Sequence, residues 1–435
     1  MDNRKLNIIF DATYFYRSTL RKKQRYGFYV TAINILKELL NSEDINVKLF
    51  CDYKRVSNVK EALSRDLSKE NIELFSNVPD NYFTKLFNKL TNEIIASTSK
   101  NETIKTFLLY VTLNFFIPIQ LFQKHLYRKK LWELENSNDI FYSPLHKIPK
   151  PFNKMKNIKR YTTLHDIIVL KFPKDNYRIK RLKWFYKLGK SLNSSDYYFS
   201  NSEHTKQDFR KYFPTELLNN ITTTLLGHTK EFKPRNIEEI NSVKIKYNIP
   251  KDKKYLFILC ALNKRKNHVR VVKTFIDFIK KNSIDDMIIV LGGGHSKNFM
   301  EKLSREIIDL DMFIDKLLLV GYVDDNDLPS LYSGAEWFVY TSMYEGFGLP
   351  ALEAMSCGCP VITSNNSSLP EVVGNAALTI NWDSDYQHVE SYEKYYFNKK
   401  LREENSKKGL YRSEEFSWKK CVNTMIEVML SRAKD

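Results

Sequence analysis

Short apolar runs recur along the chain, separated by stretches in which apolar residues return at helical spacing. The first run, LNIIFDA at residues 6–12, leads into a loop rich in Arg and Lys. A helix is predicted over residues 29–40, where Ile33, Leu36, Leu39 and Leu40 share a face, and a strand over 47–50. Residues 79–135 break this rhythm and read as a helical, aromatic and basic insert. Strands resume with DIFYSP (139–144), RYTTLHD (160–166) and DYYFSNS (196–202). Beyond a polar connector at 230–249 come YLFILCA (255–261), MIIVLGG (287–293), KLLLVGY (316–322), EWFVYTS (336–342) and PVITSN (360–365). Such alternation of strand and helix predicts parallel sheets, here two doubly wound halves in tandem. The segment FSWKKCVNTMIEVML near the C-terminus predicts an amphipathic helix.

A length of 435 residues, with 43% hydrophobic, fits two or three domains with sizeable cores and argues against disorder. The formal net charge of +18 favours an anionic partner, although the lysines are spread along the chain as on a solvated surface. No nucleic-acid-binding module is found, so a nucleic-acid partner is not expected. The five cysteines are an odd, scattered set, which reads as reduced thiols; Cys357 and Cys359 lie close but lack the further ligands of a zinc site. The N-terminus carries no apolar core of a secretory signal, so a cytoplasmic protein is expected. The uncharged stretch at 106–123 contains Asn114, Pro118 and Gln120 and reads as a buried or interfacial helix rather than a membrane span.

In open parallel sheets, ligands bind beyond the C-terminal strand ends. The most informative such end is YTSMYEGFGLPALEAMSCGCPVITSNNSSLPEVVGN, residues 340–375. Glu345, Gly346, Phe347 and Gly348 form a turn, Leu349 and Pro350 open a helix, and Cys357 and Gly358 close it. Helix-start amides attract phosphate oxygens, and the glycines allow close backbone approach. Glu345 and Glu353 offer carboxylates suited to sugar hydroxyls; Glu353 reads equally well as an acidic residue that stabilises its helix N-terminus. A second strand end, ALNKRKN at 261–267, places Arg265 and Lys266 side by side, a fork and a point charge suited to a diphosphate.

These segments resemble the signature of retaining glycosyltransferases of family 4. Their hallmark is two glutamates separated by seven residues, the spacing of Glu345 and Glu353. RKN at 265–267 resembles the motif whose basic residues bind the donor diphosphate, although Cys260 stands where the family often has Gly. TLHDIIVLKFP (163–173) resembles the His-Asp segment that points a histidine, here His165, toward the reacting sugar; a structural histidine capped by Asp166 is the alternative. NSEHTKQDF (201–209) resembles the family's Ser-Glu helix start, where Ser202 also reads as an N-cap. TTLLGHTKEFKP (223–234) resembles the segment leading into the linker, with Leu226 where Asn is usual. The N-terminal loop departs most: QRYGFY keeps only Gly27 and Tyr29 of a glycine-rich pattern.

The resemblance implies a GT-B fold: two Rossmann-like doubly wound domains facing across a cleft, with the last helix crossing back to the first. The expected boundaries are an acceptor-binding domain at 1–235, a nucleotide-sugar-binding domain at 236–415 and the returning helix at 416–435. It implies transfer of a hexose from a nucleotide-diphosphate sugar, with GDP-mannose favoured over UDP- or dTDP-sugars, to a saccharide or lipid-linked saccharide with retention of configuration. Catalytic roles fall on Glu345, His165, Arg265 and Lys266. Donor binding falls on Arg265, Lys266, Glu345, Gly346, Phe347, Gly348, Leu349, Glu353 and Gly27. No metal or other cofactor is expected. Asp309 with Asp311, and Asp383 with Asp385, match an Asp-x-Asp spacing but read as surface features. Aromatic residues among Lys85, Lys89, Lys124, Arg128, Lys129 and Lys130 predict that the insert rests on an anionic membrane surface. A GT-B sugar-nucleotide epimerase, a basic nucleic-acid-binding protein and an inactive carbohydrate-binding relative are the alternatives.

Overall fold

A computed structural model describes residues 5–15, 27–51, 56–67, 125, 133, 139–145, 148–149, 152–173, 179–259, 263–293, 297–308 and 310–433. The insert at 79–135 lies outside them apart from His125 and Glu133, as do Cys260 and the uncharged stretch at 106–123. Among the described residues no helix is long and apolar enough to cross a membrane.

The chain forms two compact units. One comprises Met1–Thr163, Ser191–Phe199 and Val428–Asp435; the other comprises Leu164–Lys190 and Ser200–Glu427. Two six-stranded sheets run through them. The first is built from β1 (Leu6–Asp11), β2 (Ile45–Phe50), β3 (Ile140–Ser143), β4 (Lys159–Leu164), β5 (Tyr197–Ser200) and β6 (Ile221–Thr223), in the order β2-β1-β3-β4-β5-β6. β1 pairs in parallel with both β2 and β3, Ile8 lying opposite Val47 on one side and Ile140 on the other. Its core stacks Phe141 on Phe152 with ring centroids 3.8 Å apart, and Phe50 meets both rings edge-on.

The second sheet contains β7 (Lys254–Leu259), β8 (Met287–Gly292), β9 (Leu317–Gly321), β10 (Trp337–Tyr340), β11 (Val361–Ser364) and β12 (Ala377–Ile380). Read from β9, the order is β9-β8-β7-β10-β11-β12, the doubly wound order of a dinucleotide-binding sheet. All six residues of β8 and all four of β10 are buried, because helices cover both faces of a parallel sheet. The helix His268–Asn282 presents Val271, Val272, Phe275, Ile276 and Ile279 to the core, and the helix Asp385–Phe397 adds Tyr392 and Tyr395. Trp337, fully buried, stacks on Tyr392.

The strand expectations hold to within a residue or two, and the helix after β1 begins at Gly27. Two strands, β6 and β12, were not anticipated. The polar connector is also more ordered than its composition suggests. It contains the helix Ile237–Lys246, opened by a capping box in which Asn236 Oδ1 accepts from Glu239 N and the Glu239 carboxylate accepts from Asn236 N. The last helix spans Trp418–Ala433 and buries Cys421, Val422, Met425, Ile426 and Met429. Near its end, the Arg432 guanidinium lies 5.8 Å from the Tyr197 ring centroid, and its carbonyl accepts from Lys159.

One ion pair joins β4 to the entry of β5. Arg160 Nε donates to Asp196 Oδ1 at 2.6 Å, and its other nitrogens reach the Phe152 and Asn153 carbonyls and Ser195 Oγ. The Asp196 side chain is only 2% exposed, so removing Arg160 strands a buried charge. Arg160→Leu is expected to cost about 3–5 kcal/mol in urea unfolding. Adding Asp196→Asn should restore a large part, since the stranded charge is then gone.

Candidate active site

The reversal of strand order falls between β7 and β10, which pair in parallel through Leu256 opposite Trp337 and Phe257 opposite Phe338. Open sheets bind ligands at such a switch point, beyond the carboxyl ends of the two strands. Past β7 the chain makes a short turn, Lys264–Lys266. Asn263 Oδ1 accepts from Lys266 N at 3.2 Å, and Asn267 takes a left-handed conformation (φ 61°) that starts the helix His268–Asn282. Past β10, which ends at Tyr340, residues 341–348 lead into the helix Leu349–Ser356. The two exits are tied together: Met343 N donates to Arg265 O at 2.8 Å, and the Arg265 guanidinium donates to Tyr344 O.

This geometry brings Arg265, Lys266 and Glu345 together. Arg265 Nη1 and Lys266 Nζ both lie 2.6 Å from Glu345 Oε1. Lys266 Nζ also donates to Tyr340 Oη at 2.6 Å. Glu345 is 7% exposed and Arg265 9%. Burial would push the Glu345 carboxyl up, but the charges of Lys266 and Arg265 outweigh it and hold the group down at about 2. Counted formally, two cations and one carboxylate leave the trio one net positive charge. The same neighbourhood keeps His268 neutral: burial, with the charges of Lys266 and Arg265, lowers it to about 3.

The turn itself is shaped by close approach. A Cβ on Gly346 would lie 2.2 Å from the His165 carbonyl oxygen and 2.9 Å from Asp166 Cβ, so only glycine fits. Gly348, the residue before the helix, has φ 121°. Hydroxyls fix the carbonyls of the turn. Ser202 Oγ and Thr205 Oγ1 donate to Gly346 O at 2.8 and 3.1 Å. Ser368 Oγ lies 3.0 Å from Glu345 O and 2.7 Å from Phe347 O. His165, 3% exposed, therefore sits with its carbonyl against the turn.

The other expected residues lie in different settings. Phe347 is a packing residue, its ring edge-on to Phe416 at 6.0 Å. Leu349 and Pro350 open their helix, and Gly358, with φ 72°, follows its end. Glu353 sits half-buried on that helix, with Tyr332 Oη 3.4 Å from its Oε2. Burial pushes the Glu353 carboxyl up to about 7; the charge of Asp325 adds to the rise and the Tyr332 phenol opposes it. Gly27 belongs to the other unit, exposed at the start of the helix Gly27–Leu40, where a Cβ would meet nothing within 4 Å. Arg270 binds Asp383 at 2.5 Å and Asp385 at 3.2 Å, so this Asp-x-Asp pair is engaged with a cation. Among the described residues no cluster of potential metal ligands occurs.

Sequence reasoning gave several groups at the site no role in the chemistry. Asp166 accepts from Ile168 N at 2.9 Å. Burial pushes its carboxyl up to about 6 against that hydrogen bond and the charge of Arg265. Its signal was its place beside His165. Tyr340 was legible only as a strand terminus. Tyr344 and Asp208 each lie in a segment that sequence reasoning quoted, but their 2.7 Å hydrogen bond joins positions 136 apart and the pairing had no local signal.

Two Rossmann-like parallel sheets give the chain the GT-B fold, shared with several solved structures. Sucrose-phosphate synthase from Thermosynechococcus elongatus superposes with a TM-score of 0.64 at 16% identity, over 98% of this chain and 99% of that one. HepE from Anabaena, solved with UDP and glucose, gives 0.63 at 14% identity over 98% and 100%. The sequence matches the family described as glycosyl transferases group 1 over residues 239–410. The O-antigen chain mannosyltransferase B of Escherichia coli is 30% identical over 308 residues, covering 69% of this chain and 76% of that protein. The chain belongs to the group 1 glycosyl transferases.

The raised Glu353 carboxyl has a consequence for stability. Between its ordinary value of 4.5 and about 7, the folded state keeps a proton that the unfolded chain releases. Stability therefore falls as pH rises through that window and levels off above it. Glu353→Gln should flatten this slope and be the more stable protein at about pH 8, measured by urea midpoints across the range.

Proposed function

We propose that this protein transfers a mannosyl residue from GDP-mannose to a saccharide or lipid-linked saccharide, with retention of anomeric configuration, in bacterial surface-polysaccharide synthesis. The observation that carries the reading is the buried trio of Arg265, Lys266 and Glu345 at the switch point between β7 and β10. Its excess positive charge suits a nucleoside diphosphate, the leaving group of a sugar donor. The mannosyl assignment is supported by the Escherichia coli O-antigen mannosyltransferase relative, and a nucleotide donor by the neighbour solved with UDP.

As the bond from C1 to the diphosphate oxygen breaks, negative charge grows on the leaving phosphate and the sugar approaches an oxocarbenium ion. Arg265 and Lys266, already oriented and largely dehydrated, stabilise the phosphate, which is preorganised electrostatic catalysis. The acceptor oxygen attacks C1 from the face the phosphate leaves, and its proton passes to a phosphate oxygen. Glu345 orients the two cations and, with His165, contacts the transferred sugar. Glu353 accepts hydrogen bonds from the ribose diol, and the turn at Gly346–Leu349 lies along the phosphates. Residues 236–415 form the donor-binding domain and 1–235 the acceptor-binding domain, the insert at 79–135 resting on the anionic inner face of the cytoplasmic membrane. No metal is required.

Thermal unfolding with UDP, GDP and dTDP, each with and without EDTA, tests the donor assignment. GDP at about 100 times its dissociation constant should add roughly 2.7 kcal/mol of stability. The shift should survive EDTA and vanish in Glu353→Ala. Transfer from GDP-mannose to an oligosaccharide should fall about 10²–10³-fold in Glu345→Gln. A shift lost in EDTA, or consumption of GDP-mannose at full rate without acceptor, would overturn the reading.

A further inference from the structure

Tyr344 immediately precedes Glu345 and points the other way. Its ring is 3% exposed and its phenol donates to Asp208 Oδ2 at 2.7 Å. Asp208 lies on the helix Glu203–Tyr212 and has two more close neighbours: Lys171 Nζ 3.0 Å from Oδ1 and His204 Nε2 3.1 Å from Oδ2. The Lys171 ammonium also sits 4.4 Å from the Tyr344 ring centroid. Burial would push the Asp208 carboxyl up, but the close polar contacts of His204, Tyr344 and Lys171 hold it down at about 2. The anchor under Tyr344 is thus a permanent anion with both oxygens engaged.

The backbone of Tyr344 carries this anchorage to the site, because its carbonyl accepts from Arg265, whose Nη1 binds Glu345 Oε1. The chain of contacts runs Asp208, Tyr344 ring, Tyr344 carbonyl, Arg265, Glu345. The same helix holds the turn elsewhere. Ser202, which caps the helix, and Thr205 both donate to Gly346 O, two contacts beside that of Asp208 with Tyr344. A helix whose N-terminus and side chains bind the turn at three points acts as a template for it.

We propose that Asp208 is a positioning residue for the transfer reaction. It locks Tyr344 and, through the Tyr344 carbonyl, sets the Arg265 guanidinium and the Glu345 carboxylate in their working geometry. The inference rests on the reading of Arg265 and Glu345 as transfer machinery. The consequence for catalysis is a loss of turnover rather than of donor affinity, since small misplacements of charged groups act mainly on the transition state.

Asp208→Ala, Tyr344→Phe and the double variant separate this role from a merely structural one. Two measurements on the full chain are needed: amide hydrogen exchange without ligand, and kcat and KM for transfer from GDP-mannose to an oligomannoside. Exchange over residues 343–348 should accelerate about tenfold in each single variant, while that of β8 stays as in the wild type. The kcat should fall about tenfold or more with KM for GDP-mannose moving less than about threefold. The double variant should be no worse than about twofold below the less active of the two singles, because the Tyr344–Asp208 hydrogen bond is already missing in each. Unchanged exchange at 343–348, acceleration spread equally into β8, or a loss confined to KM would overturn the proposal. Absence of transfer by the wild type would instead count against the mannosyl reading, and the exchange data would still decide whether Asp208 holds the turn.

Discussion

A carboxylate with 7% exposure survives in this interior only because two cations meet it. Isolated, such a charge would cost several kcal/mol and the group would take up a proton instead. The rest of the second sheet can be understood as the means of bringing these three side chains together. Arg265 and Lys266 leave from the end of β7 and Glu345 from beyond β10, so those strands must be neighbours. They are neighbours because the strand order reverses there, which is also what opens a crevice at their ends. Gly346 then lets the His165 carbonyl lie against the turn.

Two glutamates eight positions apart experience opposite electrostatics. Glu345 has cations at hydrogen-bond distance and is pinned as an anion. Glu353 has burial, a phenol and the charge of Asp325, and it holds its proton up to about 7. The difference follows from what each strand end delivers, since the residue type is the same. A group held as an anion suits the ordering of cations, whereas a group titrating near neutrality changes charge with small changes in its surroundings.

Most strands were legible because fully buried parallel strands are continuous runs of Ile, Val, Leu and aromatic residues. β6 and β12 escaped notice for a related reason. They are three and four residues long and only partly buried, so neither shows an uninterrupted apolar run. The helix Ile237–Lys246 was hidden by its composition, with Val243 its buried residue, although Asn236 and Glu239 stand at capping-box spacing. At the site, Glu345, Arg265 and Lys266 could be found because strand-end motifs are local in sequence. Asp208 and Tyr344 lay in quoted segments, but their pairing could not be found, because it exists only once the chain is folded. Asp166 lies between these cases: adjacent to a residue of interest, yet its carboxyl is raised by burial that exists only in the folded chain.

Ser202 illustrates how such a fold restricts its own variation. Its hydroxyl oxygen accepts from Thr205 N at 3.0 Å, closing the N-terminus of the helix Glu203–Tyr212, and its proton goes to Gly346 O. Ser, Thr, Asp and Asn are all good helix caps. An aspartate would serve the helix but present a second acceptor to a carbonyl that needs a donor. The tolerated alphabet at this position is therefore narrower than helix capping alone allows, and a drift to aspartate that leaves the helix intact would still repel the turn beside Glu345.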